Sequence, residues 1–342
     1  MLKPVVTRTA NIDLNFQPYI MQAPTTKQEM WGQATRNDNI TIESWRETWI
    51  SNAKKNKEHF GLFADYSVGE LFGSLQHKSC ILAGSGPSLA YNGELLKDRQ
   101  DMPLISCLHN FHYFEDRDIE VDYYVSLDAG PVVLEEISEG GQHDEEWYWE
   151  RTADKTLIAY ISSDPELFKK WRGKIYLFNV PVPDKSVEEE LDALEPFHIY
   201  LSTGGNVLGA CMYVAKVILG CTMTAFVGAD FSFSYKNKFH GWDSKYDKEI
   251  GRCILMRDVY GLPVNTWQSY ANFAVWFNYI AQQVPGIYIN CTEGGIFGSY
   301  SDGNIIHVKQ MRLAEFLNMS NMNFILEDQF KNCTINQRKI LF

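Results

Sequence analysis

Nowhere in the 342 residues does an apolar run reach the roughly 18 positions that a membrane-crossing helix requires, so no membrane span is expected. Positive charge is scarce: 31 Lys and Arg face 43 Asp and Glu, a formal net charge of -12. Without a basic stripe to neutralise a phosphate backbone, nucleic acid is not an expected partner. The stretch Met1 to Ile20 lacks the basic start and continuous apolar segment of a secretory signal, which places the expected location in the cytoplasm. Cysteine is sparse and odd in number, seven in all: Cys80, Cys107, Cys211, Cys221, Cys253, Cys291 and Cys333. Several sit inside apolar segments, where a reduced thiol packs as a small hydrophobe, so disulfides and a structural zinc are not expected. Internal repeats and low-complexity tracts are missing as well.

What is present points to a large core. Hydrophobic residues make up 45% and aromatics 14% of the chain, including 9 Trp, 18 Tyr and 20 Phe. Such a composition buries enough surface to offset the ordering entropy of one large core with additions, or of two modest domains. Residues 1–75 form a polar N-terminal extension with a helix from Ser44 to about Phe60 that carries Trp45 and Trp49. From Ser79 onward, short apolar runs alternate with helical stretches, at 79–83, 103–108, 121–128, 156–162, 174–180, 222–227 and 286–292. Helices are expected at Asn206 to Leu219 and Thr266 to about Val284, and the acidic cluster Glu145, Glu146 and Glu150 marks a solvated insertion. The alternation implies an α/β chain with a doubly wound, mainly parallel, Rossmann-like sheet of about seven strands over residues 76–308. A helix from about Val308 to Leu317 and a polar tail, together 309–342, close the chain.

In such sheets ligands bind beyond the carboxyl ends of the strands. The run Gly84-Ser85-Gly86-Pro87-Ser88 follows a buried strand and turns into a helix that Ser88 can cap. Glycines let an anion reach the backbone amides, and the helix terminus favours negative charge, so this turn is a candidate phosphate cradle. A branched side chain at Gly86 is expected to block that approach while sparing the fold. Neither the full dinucleotide fingerprint nor a P-loop is present. Asp128 and Asp230 each end an apolar strand, either as carboxylates facing the cleft or as turn and cap residues. His240 lies in the polar loop Tyr235-Lys-Asn-Lys-Phe-His240-Gly-Trp, where a histidine has no core to pack into and can carry a proton near neutral pH. His109-Asn-Phe-His112 and Asp116-Arg-Asp118 copy fragments of metal sites, but no Cys or Glu partner stands at metal spacing, so no metal site is expected.

Four segments over residues 79–300 together resemble one group of enzymes. They are the Gly84-Ser-Gly-Pro-Ser-Leu89 start; Asn110-Phe-His-Tyr-Phe-Glu115; Ser202-Thr203-Gly204-Gly205 leading through a helix and strand to Val227-Gly-Ala-Asp230-Phe231; and Ile289-Asn-Cys-Thr292-Glu293-Gly294-Gly295. The set is similar to Maf (motility-associated factor) glycosyltransferases, to bacterial sialyltransferases of glycosyltransferase family 42 and to archaeal hydroxymethylpterin pyrophosphokinases. The resemblance implies a sialyltransferase-like fold and transfer from a nucleotide-sugar donor, a CMP-linked nonulosonic acid for instance, to a protein or saccharide hydroxyl, with no cofactor required. It implies that Asn110 and Asp128 touch the donor, that Ser202, Thr203, Gly204 and Gly205 hold the sugar acid, that Thr292, Glu293 and Gly294 lie at the same site, and that His240 is the base. The pyrophosphokinase alternative implies that Asp128 and Asp230 hold magnesium between phosphates. A nucleotide-binding module without turnover is the remaining alternative.

Overall fold

Fully buried parallel strands show in sequence as short continuous apolar runs, because both faces are covered by helices. Cys80-Ile-Leu-Ala83 is such a run, and all four residues are 0% exposed. The computed structural model describes residues 27–194, 199–234, 238–244, 253–298 and 308–320. Its ten strands are β1 (Ser79–Ala83), β2 (Leu104–Cys107), β3 (Tyr123–Ser126), β4 (Thr156–Tyr160), β5 (Lys174–Phe178), β6 (Met223–Val227), β7 (Ile254–Arg257), β8 (Pro263–Thr266), β9 (Ile287–Asn290) and β10 (Val308–Gln310). Eight of them form one sheet in the order β10-β9-β6-β1-β2-β3-β4-β5, every neighbouring pair parallel. The register is fixed by close pairs such as Ile81 with Leu104 on one side of β1 and Ile81 with Ala225 on the other.

The helices are α1 (Lys27–Phe60), α2 (Leu89–Asn92), α3 (Phe111–Glu115), α4 (Val132–Glu136), α5 (Glu145–Arg151), α6 (Pro165–Lys170), α7 (Lys185–Leu194), α8 (Val207–Tyr213), α9 (Gln268–Gln283) and α10 (Leu313–Ser320). Asn206 caps α8 through a 2.8 Å bond from the Gly209 N–H, and α8 then lies across β1, β2 and β3. A turn of π-helix, Val214–Ile218, continues it and carries the buried Lys216, whose ammonium donates to the carbonyls of Cys221 and Thr222. The acidic residues of α5 are paired on the surface, Glu145 with Lys170 at 2.7 Å and Glu150 with Arg172 at 3.8 Å. The six cysteines among the described residues are all buried; Cys333 lies outside them.

All seven expected strands are present. Three features differ from the sequence reading. Val308–Gln310 is an edge strand, and the helix expected to start at Val308 starts at Leu313. The segment before α9 holds an antiparallel hairpin of β7 and β8, hidden because only one face of each strand is buried. Helix α1 starts at Lys27, well before Ser44, and packs onto the α/β body instead of extending from it. Two buried asparagines fix it there. Asn52 donates to the carbonyls of Ala129 (2.8 Å) and Ser162 (3.2 Å), and Asn56 to those of Ile161 (2.8 Å) and Ser163 (2.9 Å). These carbonyls belong to the loops that follow β3 and β4, so α1 is bound to the carboxyl end of the sheet. The tail after Ser320 lies outside the described residues.

Candidate functional site

The chain moves outward from β1 through β2, β3, β4 and β5, then returns to place β6 on the other side of β1. That reversal opens a crevice beyond the carboxyl ends of β1 and β6, where the loops diverge. Its walls meet at two glycine turns. The Gly84 N–H donates to Val227 O at 2.9 Å and the Gly86 N–H to Gly228 O at 2.8 Å. A Cβ on Gly84 would stand 2.6 Å from Gly228 O, and one on Gly86 2.2 Å from Asp230 Oδ2. The glycines are therefore required by the fit of one turn against the other.

Asp230 fastens the two turns. Its carboxylate accepts the Ser88 hydroxyl at 2.7 Å and the Ser88 N–H at 3.2 and 3.3 Å, and the residue is 6% exposed. Of the two alternatives open for Asp230 in sequence, cleft-facing carboxylate or cap, the structure has the cap: a carboxylate at the end of β6 meets the unpaired amide at the start of α2. Ser88 does not cap α2 with its own side chain, since its hydroxyl serves Asp230. The amides of Gly84, Gly86 and Ser88 are taken by protein acceptors, and the part of the turn that lines the crevice is Ser85 and Gly86.

Two cavities open beside this junction. The smaller, about 220 Å³, is lined by Ser85 and Gly86 after β1, His109 after β2, Ser126 at the end of β3 and Asp128 just beyond it, and Glu136 on α4, together with Phe231, Tyr270 and Phe273. The larger, about 500 Å³, has walls of Trp45 and Trp49 on α1, Trp276 on α9, Tyr160 and Pro181, with Ser202, Thr203, Gly204 and Gly205 along one side. Asp128, Asn206 and Val207 line both. The indole of Trp276 lies flat enough on the backbone that a Cβ at Gly204 would sit 2.3 Å from it, and Gly204 has φ +61. Thr203 Oγ1 accepts the Gly205 N–H at 3.2 Å, which holds this turn closed at the start of α8.

A knot of rings and carboxylates backs the smaller cavity. His109 Nε2 lies 3.2 Å from Glu139 Oε2 and its Nδ1 4.0 Å from Glu136 Oε1, while Glu139 also accepts the Ser244 hydroxyl at 2.8 Å. His240 stacks on Trp242, 5.0 Å between centroids and 5° between planes, and meets the His109 ring edge at 4.6 Å. His112 touches the other side of Trp242 at 4.6 Å. Burial, helped by the neighbouring His109, pushes both His112 and His240 down to about 3, so both rings are neutral at physiological pH. Burial also opposes charge on His109, but the Glu136 charge and the Glu139 hydrogen bond outweigh it and hold the ring above the ordinary histidine value. Glu136 is raised to about 7, chiefly by burial, against the pull of His109; Asp128 is raised by the same cause. Among the described residues no Lys or Arg lines either cavity, and no group of three or more His, Cys, Asp or Glu is set to hold a metal.

The sequence-derived candidates divide accordingly. Ser85, Gly86 and Asp128 line the smaller cavity, and Asp128 with Ser202, Thr203, Gly204 and Gly205 the larger. Gly84, Pro87, Ser88, Asp230, Thr292, Glu293 and Gly294 line neither and hold the loops around them. Thr292 Oγ1 accepts the Ala229 N–H at 3.1 Å, and Glu293, at φ 60, accepts the Leu313 N–H at 3.1 Å at the head of α10. Asn110 is fully buried, donating to Ala83 O and Ser106 Oγ, while its Oδ1 is buried without a partner. His240, expected on a polar loop, is 7% exposed because Phe239 and Trp242 fold its ring inward. Glu136, Glu139 and Trp276 were not singled out in sequence, Trp45, Trp49 and Asn206 were read only as parts of helices, and His109 only as half of a metal pair.

No curated protein matches the chain at significance. In structure it is similar to the Maf glycosyltransferase of Magnetospirillum magneticum AMB-1, with a TM-score of 0.52 and 13% identity over 86% of this chain. The match spans 42% of that larger protein, and at this identity it shows the fold alone. In the described residues no helix is long and apolar enough to cross a membrane. The family model described as 6-hydroxymethylpterin diphosphokinase MptE-like matches residues 47–236, which includes β1 to β6, both glycine turns and every loop that lines the smaller cavity up to Ser232. With more than half of its length matched, the chain belongs to the MptE-like family.

Proposed function

We propose that the chain is a transferase: it holds a nucleotide-activated donor in the smaller cavity and moves the donor's group to a hydroxyl of an acceptor in the larger one. The observation that carries this reading is that a compact chamber edged by Ser85, His109, Asp128 and Glu136 and a roomier chamber walled by tryptophans meet at Asp128, Asn206 and Val207, so that two substrates can present reacting atoms to each other at one place. The favoured donor is a nucleotide sugar, with a CMP-linked nonulosonic acid as the first candidate, and the acceptor a protein or saccharide hydroxyl. Ser85 and Gly86 border the donor phosphate in the smaller cavity, and the transferred sugar projects past Asp128 toward Ser202, Thr203 and Gly204 in the larger one. The three indoles give the acceptor chamber flat apolar walls suited to a ring. On this reading the chain works in the cytoplasm.

A second reading, diphosphoryl transfer with magnesium, is favoured by the cavity's charge. Among the described residues its lining carries the carboxylates of Asp128 and Glu136 and no Lys or Arg, a setting in which a divalent cation would offset the charge of a nucleoside triphosphate. Asp128, which lines the cavity, is the carboxylate placed to meet a magnesium ion that takes its other oxygens from phosphate and water; Asp230, committed to Ser88, is not. The ion would neutralise charge on the transferring group.

A thermal-shift panel of CMP, UDP, GDP and ATP, each with and without magnesium, separates the readings. CMP is expected to stabilise the protein irrespective of magnesium, by about 2.7 kcal/mol at a hundredfold excess over Kd. A shift with ATP only in the presence of magnesium, and none with CMP, makes diphosphoryl transfer the function. No shift with any nucleotide removes both.

A further inference from the structure

We infer that His109, oriented by Glu139, is the base that takes the acceptor proton. The inference rests on the transfer reading above and holds for either donor, since both need an acceptor hydroxyl to lose its proton. His109 lines the smaller cavity, with 15% of its side chain exposed, whereas His240 is not among the lining residues and lies behind it. Its two nitrogens are differently placed. Nε2 faces Glu139 at 3.2 Å, and Glu139 does not line the cavity; Nδ1 lies toward Glu136, which does. A neutral ring that donates its Nε2 proton to Glu139 keeps the Nδ1 lone pair on the cavity edge. Ser244 and His109 both bond Glu139, so the carboxylate is fixed on the side away from substrate.

The step balances simply. The acceptor O–H bond breaks and its proton passes to Nδ1. The oxygen's electron pair forms the new bond to the donor's electrophilic centre, carbon in a glycosyl donor or phosphorus in a diphosphoryl donor. The bond from that centre to the departing phosphate oxygen breaks, and its pair stays on the nucleotide phosphate. The proton then leaves His109 for that phosphate or for solvent. The groups that face His109 are Glu136 on α4, Glu139 just beyond it, Asp128 after β3, His112 on α3, and His240 and Trp242 on the loop over the glycine turn. The carboxylates favour the protonated ring, which places the acidic limb of activity above the ordinary histidine value.

Nucleotide release is followed across pH with three probes: CMP-N-acetylneuraminate, UDP-N-acetylglucosamine, and ATP with magnesium and 6-hydroxymethylpterin. His109→Asn is expected to lower turnover by roughly 10²- to 10⁴-fold and to abolish the acidic limb, with the nucleotide thermal shift retained. Glu139→Gln, which keeps the shape of the partner, is expected to move the limb to lower pH, an effect that a purely structural contact would not produce. Full turnover in folded His109→Asn, or a limb unmoved by Glu139→Gln, overturns the assignment and leaves the transfer reading intact. A limb that survives in His109→Asn and vanishes in His240→Asn returns the role to His240. Absence of wild-type turnover on all three probes removes the transfer reading, and the base with it.

Discussion

Gly86→Val is expected to unfold the protein or to lower its stability by roughly 4–9 kcal/mol, a large part of the 5–15 kcal/mol that holds a typical domain together. The first side-chain carbon alone meets Asp230 Oδ2 at 2.2 Å and Gly228 O at 2.6 Å. One of these atoms is backbone, so the turns must separate. If Asp230 moves instead, the Ser88 N–H and hydroxyl lose a charged acceptor in a buried place, at about 1.5–3 kcal/mol for each such bond. Overpacking adds about 1–3 kcal/mol. Urea unfolding followed by circular dichroism measures the loss, with Gly86→Ala expected to show most of it and Ser85→Ala little. This replaces the sequence-based expectation that the fold survives. A wild-type midpoint for Gly86→Val would mean that the turns stand apart in solution, with their amides open to an anion after all.

The second large effect is a pH dependence carried by two histidines. In the unfolded chain His112 and His240 titrate near 6.5, whereas burial holds both at about 3 in the folded protein. Their contribution to stability is therefore present in full above pH 6.5 and declines as pH falls toward 3, because the unfolded chain takes up protons that the folded one refuses. The slope is about 1.4 kcal/mol per pH unit for each ring, about 2.7 for both. Glu136 acts in the opposite sense. With its folded carboxyl raised to about 7, its contribution is full below the unfolded glutamate value and is lost as pH rises through 7. A comparison of wild type with His112→Gln/His240→Gln cancels that term. The stability difference between the two is expected to shift in the variant's favour by roughly 2.7 kcal/mol per pH unit below 6.5. Parallel curves from pH 7.5 to 5 would show that the rings are solvated.

What the sequence disclosed follows the range of the interactions involved. The seven long-range strands were legible because burial on both faces writes itself into each strand locally, as in Cys80-Ile-Leu-Ala83. β10 was not, since three residues at a sheet edge, Val308-Lys-Gln310, carry no period before the helix that follows. The partner of Asp230 stands 142 positions away at Ser88, and nothing near Asp230 announces it. Nothing near Glu136 and Glu139, three residues apart, singles them out until His109 is brought against them from the end of β2. The local polarity of 235–242 suggested a solvated histidine; only the packing of Trp242 against His112 and Tyr113 reveals that residues 238–242 turn inward, while 235–237 lie outside the described residues. The tryptophan chamber needed α1 and α9, which the sequence places more than 200 residues apart, to meet across the sheet.

The order of strands also sets a timetable for synthesis. β1 pairs with β6 through Ala83 and Val227, which leave the ribosome 144 residues apart. At about 5–20 residues per second this interval lasts roughly 7–29 s, during which β1 presents a bare apolar edge on one side. The nascent chain can assemble β1 to β5 in that time, but the carboxylate that seats Ser88 has not yet been made, so the crevice arrives only with the last third of the chain. Truncated chains that end before Asp230 are therefore expected to be sticky and chaperone-bound, and to regain solubility only once β6 is included.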